Sequence, residues 1–198
     1  MTRSPADLSA LLGSRICHDL SSPLGAIANG VELLTMTGGT GPEIELISES
    51  VASANARIRF FRVAFGAASK GQSIGAADIR ATLQMISAGS KTRVDWLAEG
   101  DVPRPEAKLV FLLLMCMETA MPWGGAVTVV RNGSAWTVRG TAERMRADQT
   151  IWDILAQPES GAALQASEVQ FLLLPQLLEA AGRSLTLEIG PGEIVAQF

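Results

Sequence analysis

The sequence predicts an α+β protein, a long helical hairpin followed by helices packed on one face of a mixed sheet. Three observations carry that prediction. Apolar residues recur at steps of three and four from Leu8 to Phe65. Beyond a polar linker, ASKGQSIG at residues 68–75, that period gives way to short helical patterns alternating with strand-like runs. Hydrophobic residues make up 47% of the 198 residues and charged residues 18%, which suits a packed core rather than a disordered chain.

The first helix is a stripe of Leu8, Leu12, Ile16, Leu20, Leu24, Ile27, Val31 and Leu34. Ser4 ahead of Pro5, with Asp7 just after, starts it, and TGGTGP at residues 37–42 stops it. The second helix places Ile44, Ile47, Val51, Ala54, Ile58, Phe61 and Phe65 in a coiled-coil seam. One such hairpin has too little core of its own. Two copies pairing into a four-helix bundle complete it, so a homodimer is expected. The predicted domains are 1–70 for the hairpin and 71–198 for the rest.

In the second domain AADIRATLQMISA reads as a helix and TRVDWLAEG as a strand ending in a turn. PEAKLVFLLLMCMETAM is a buried helix, and GAVTVVRNGSAWTVRG is a hairpin turning at Asn132-Gly133. A short helix near residues 148–155 and the helix SEVQFLLLPQLLEAAG follow. The chain closes with SLTLEIGPGEIVAQF, a hairpin on a Gly-Pro-Gly turn. Trp96, Trp123, Trp136 and Trp152 are expected in the core.

Several function classes drop out. The net charge is −4 with no basic run, so nucleic acid is not an expected partner. Cys17 and Cys116 lack metal-ligand spacing and read as small buried hydrophobes in a reducing compartment. The opening MTRSPADLSALL has no signal-peptide core. The longest apolar run, residues 109–117, is far short of the roughly 20 needed to span a bilayer. A soluble, cytoplasmic protein without membrane association is expected.

What remains is one polar knot inside the first helix, RICHDLSSPLG at residues 15–25, holding His18, the sole histidine of the chain. At about 100° per residue, His18 lies about 160° from the apolar stripe, with Ser22 about 40° further round and Asp19 on the flank. One imidazole cannot complete a zinc shell, and Ser22 lacks the nucleophile elbow and oxyanion hole of a hydrolase. An exposed imidazole on a rigid helix is left as a nucleophile, with Asp19 placed to orient it or take its proton. Pro23 removes a backbone donor just beyond, at about 3 kcal/mol in a helix interior, which points to site geometry rather than packing.

H-D-L-S-S-P-L at residues 18–24 resembles the H-box, H-[E/D]-L-x-x-P-L, of the phosphotransfer hairpin of two-component histidine kinases. The second domain resembles in outline the α/β sandwich of a kinase ATP-binding domain, but its boxes differ. Met115 and Thr119 stand where kinases carry magnesium-holding asparagines, and methionine cannot ligate magnesium. VRGTAERMRAD offers no adenine-reading Asp, and Gln170-Phe171 replace the lid glycines. GPGE at residues 190–193 sits in the last hairpin and reads as a turn.

A phosphotransfer hairpin joined to a sandwich without nucleotide boxes resembles the ChpT-type histidine phosphotransferases. The resemblance spans essentially the whole chain and is strongest in SRICHDLSSPLGAIANGVELL. It implies a homodimer that takes a phosphoryl group from the receiver domain of a hybrid kinase onto His18, with Asp19 as orienter or base. The group then passes to the aspartate of a response regulator. Mg²⁺ comes with the receiver, so no cofactor or metal of its own is expected. Arg15, Ser22 and Pro23 are the supporting or docking residues, and Asn55, Arg59 and Arg62 lie off the second helix's seam within reach of a partner. A non-catalytic dimeric adaptor, an ATP-dependent kinase with atypical boxes and a response-regulator phosphatase are the rival readings.

Overall fold

A computed structural model describes residues 5–37, 41–69, 71–156 and 164–198. Both long helices form, α1 over Pro5–Thr37 and α2 over Gly41–Ala64. Ser4 and residues 38–40 of the predicted turn lie outside the described residues. The helices approach closely at a point where α1 has no side chain: a Cβ on Gly30 would lie 2.5 Å from Cγ1 of Ile47. That contact sets the register of the hairpin.

The apolar stripe of α1 is split in two. Ile16, Ile27 and Leu34 are half-buried, whereas Leu24 and Val31 are exposed, and so is Cys17. At about 100° per residue, the exposed three lie on one side of Leu20 and the half-buried three on the other. One flank of the stripe therefore serves the fold of the chain and the other faces outward. This corrects the expectation that both cysteines are buried. On α2 the seam divides likewise, with Ile44, Val51 and Ile58 exposed and Ala54 and Phe61 buried.

The C-terminal turns of α2 join a larger core, against which Ile16 of α1 also packs. Phe60, Phe61, Val63 and Ala64 belong to the same cluster as the second half of the chain, and Phe60 meets Phe111 with ring centroids 4.8 Å apart. Phe61 therefore packs there rather than in the predicted seam.

The last three residues of the predicted linker form β1 (Ser73–Gly75), followed by α3 (Ala76–Ala88), β2 (Thr92–Trp96), β3 (Asp101–Pro103) and α4 (Arg104–Ala120). The chain continues through β4 (Gly125–Asn132), β5 (Ala135–Thr141), α5 (Gln149–Ala156), α6 (Val169–Ala180), β6 (Thr186–Ile189) and β7 (Glu193–Gln197). The main sheet has the order β2-β4-β5-β7-β6, with β2 parallel to β4 and every other pair antiparallel. Val127, Val129, Trp136, Val138, Ile194 and Ala196 alternate along their strands and bury one face. α4 lies in this core, and Leu109 to Met117 are buried all round. Burial pushes the Cys116 thiol well above its ordinary pKa.

The sequence did not show β1 and β3, a three-residue antiparallel pair too short to carry a period. The β4–β5 turn is one residue later than predicted. Asn132 pairs with Ala135, so Gly133-Ser134 make the turn, and Gly133 takes the positive φ of 62°. Trp96, Trp136 and Trp152 are buried, but Trp123 is exposed, with the Arg144 guanidinium 4.3 Å from its ring centroid. Among the described residues no helix is long and apolar enough to cross a membrane.

Candidate functional site

α1 runs through Pro23 without a break, and Pro23 is buried. Its missing N–H leaves the Asp19 carbonyl without its helical donor. In the same turn the Ser21 hydroxyl donates to the Cys17 carbonyl at 2.7 Å. Two departures from ordinary helix bonding thus flank His18.

The His18 side chain is 79% exposed, and Nδ1 lies 3.0 Å from Oδ1 of Asp19. Asp19 is the opposite in setting, with a side chain only 9% exposed. Its Oδ2 accepts from Arg15 Nε at 2.8 Å and lies 3.9 Å from Arg57 Nη1 on α2. Arg15 also donates through Nη1 to the carbonyl of Ser167, in the turn of 3-10 helix at Ala166–Glu168 that leads into α6. A buried carboxylate therefore joins an exposed imidazole to two cations and, through one of them, to the second half of the chain.

This arrangement fixes a tautomer. With Asp19 ionised, Oδ1 can only accept, so Nδ1 carries a proton, and in the neutral ring Nε2 then keeps its lone pair. Nε2 has no partner among the described residues. A neutral, outward nitrogen with the proton held behind it is a nucleophile ready for an electrophile brought from outside.

Beside the pair opens a cleft of about 640 Å³ between the hairpin and α3–α4. Arg15, Asp19, Ser22 and Pro23 line it from α1, Ser53 and Arg57 from α2, and Met115 and Glu118 from α4. Ser22 is exposed there and makes no side-chain hydrogen bond among the described residues. Arg15 is held by Asp19 and Ser167, so its contacts are those of a supporting residue rather than a free docking cation. Asn55, Arg59 and Arg62 are exposed and none meets Asp19. Sequence reasoning missed Arg57. Its signal was the mirror register of the hairpin: Gly30 against Ile47 places Asp19 opposite residues 57–58.

The positions aligned with kinase boxes are filled by packing. Thr119 donates to the Met115 carbonyl at 2.9 Å, and Gln170 Nε2 donates to Thr119 Oγ1 at 3.1 Å. Gln170 is fully buried, and its Oε1 has no partner among the described residues. Next to it Phe171 meets the Trp152 ring edge-on at 5.5 Å between centroids.

Residues 76–193 match the family described as histidine phosphotransferase C-terminal domain. Over 205 aligned residues the chain is 35% identical to the protein phosphotransferase ChpT of Brucella abortus (strain 2308), covering 98% of this chain and 96% of that protein. It is also similar to a solved bacterial phosphotransferase, with a TM-score of 0.83 and 31% identity over 100% of this chain and 98% of the other.

Proposed function

Because the chain belongs to the histidine phosphotransferase family, and within it resembles the ChpT type, we propose that it relays a phosphoryl group through His18. The donor is the aspartyl phosphate of a hybrid kinase's receiver domain, and the acceptor is the aspartate of a response regulator. The observation that supports this reading is the split setting of the pair. His18 is exposed with Nε2 free among the described residues, while Asp19 holds Nδ1 from a buried position.

In the forward step Nε2 attacks phosphorus. The N–P bond forms as the acyl phosphate's P–O bond breaks, and that bond's electron pair leaves on the receiver's carboxylate. The ring becomes cationic with its proton on Nδ1, and the Asp19 carboxylate 3.0 Å away stabilises it. Handing the group to a second receiver reverses the step. Mg²⁺ on the receiver offsets the charge of the phosphoryl oxygens, so this chain supplies position, nucleophile and proton control.

The exposed apolar flank of the hairpin, Leu24 and Val31 with Ile44, Val51 and Ile58, supports pairing with a second copy as a four-helix bundle. Receiver domains would then dock around the outward His18.

The test follows labelled phosphate from a pre-phosphorylated receiver onto this protein, wild type against His18→Ala. Acid-labile label on wild type alone, chased onto a second receiver, is expected. Receivers that bind wild type without passing label would make the protein an adaptor. Label arriving from ATP with no receiver present would make it a kinase.

A further inference from the structure

Adjacent residues on a helix point about 100° apart and do not normally meet, yet His18 and Asp19 are bonded at 3.0 Å. Something must turn the carboxylate sideways and keep it there. The two carboxylate oxygens have different neighbours: Oδ1 faces only His18, and Oδ2 faces Arg15 at 2.8 Å and Arg57 at 3.9 Å.

We propose, on the phosphotransfer reading above, that Arg15 and Arg57 are positioning residues that clamp Oδ2 of Asp19 so that Oδ1 selects the Nδ1–H tautomer of His18. Arg15 further makes this setting depend on how the second half of the chain seats against the hairpin. Its Nε holds Asp19 while Nη1 holds the Ser167 carbonyl, so one planar fork bridges the two. The anchor is itself fixed, because Gln165 and Glu168 close a reciprocal capping box around that turn, with Gln165 N donating to Glu168 Oε2 at 2.9 Å. The second half of the chain thereby reaches the imidazole through two side chains, Arg15 and Asp19, without touching phosphate.

The clamp predicts different tolerances at its two arms. Arg57 lies 3.9 Å from Oδ2 and acts by charge, so a lysine can stand in. Arg15 uses two nitrogens of its fork on two partners, a geometry an ammonium does not reproduce.

His18 is the sole histidine, so full-length protein labelled with ¹⁵N-histidine gives one pair of ring nitrogen signals. Those signals report the tautomer directly, and transfer from a phosphorylated receiver is timed on the same samples. In wild type the Nδ1–H form should dominate. Arg57→Ala should mix the tautomers and slow transfer about tenfold, and Arg15→Ala about a hundredfold, as misplaced reacting groups do. Arg57→Lys should restore both readouts, and Arg15→Lys neither. If Arg57→Ala and Arg15→Ala are folded and leave tautomer and rate at wild-type values, the clamp is wrong although transfer stands. If the tautomer shifts as described while wild type takes no phosphate from any receiver, the clamp stands and the phosphotransfer reading fails.

Discussion

The turn of α1 around His18 and the start of α6 around Gln170 treat polar groups in opposite ways. At His18 the imidazole is in solvent and its partner carboxylate is buried, and both oxygens of that carboxylate are in use. At Gln170 the whole side chain is buried, one donor is satisfied by Thr119, and an acceptor is left over. Leaving a buried acceptor unpaired costs about 1–3 kcal/mol, tolerable in a packed wall and unhelpful for chemistry. The first region is organised to present one nitrogen. The second is organised to fill space, which is why burial of polar atoms there does not mark a site.

The largest expected effect breaks the comparison at its chemical end. Asparagine at position 19 has one accepting oxygen, which can serve Arg15 or His18 but not both. Asp19→Asn should therefore slow transfer by about a hundredfold or more, the scale of a lost general acid–base partner. Rapid-quench transfer rates set beside urea midpoints check it, and the rate should fall far more than the stability does. A rate within about tenfold of wild type would mean that the exposed imidazole needs no carboxylate.

At the packed end the order should invert. Trp152→Ala removes the ring that meets Phe171 at 5.5 Å and opens a cavity in the core. It should lower unfolding stability by about 3–5 kcal/mol, as buried aromatic truncations do. Transfer per folded molecule, measured in the cold where the variant is folded, should stay at the wild-type value. A matching loss of transfer would show that this wall also shapes the His18 turn.

How much of this was legible in the sequence follows the same division. The His18 turn is a local pattern: His, Asp and Pro within six residues on one apolar helix can be placed by angle alone. The main strands and α3 to α6 were legible too, because each is long enough to show its period. Arg57 and Ser167 were not, since their role depends on hairpin register and on a contact 152 residues apart in the chain. Cys17 misled because it sits on the apolar stripe, and only the packing shows which flank of that stripe the chain itself covers. The role of Phe61 was misread for a related reason. A heptad seam predicts that a residue is buried but not against what, and here the core cluster shared with the second half of the chain receives it.

The smallest expected effect lies at the joint between the two regions. α2 ends with its carbonyls facing α4, and two cations of α4 satisfy them. Arg104 donates to the Arg62 and Ala67 carbonyls, and Lys108 Nζ donates to those of Gly66 at 2.9 Å and Phe65 at 3.3 Å. Burial and then the neighbouring Arg104 charge push the Lys108 pKa below 10.5. Below the lowered value both folded and unfolded chains hold the proton, so there the penalty for burying the charge is fully present. Between that value and 10.5 the unfolded chain still holds the proton while the folded chain has released it, so stability due to this group rises with pH. A neutral amine still donates to one or both carbonyls, so the joint survives the titration. Wild type should therefore gain on Lys108→Met as pH climbs from neutrality toward 10.5, read as the difference between their urea midpoints. Groups shared by the two proteins cancel in that difference. A flat difference would mean that the lysine is not penalised in the fold.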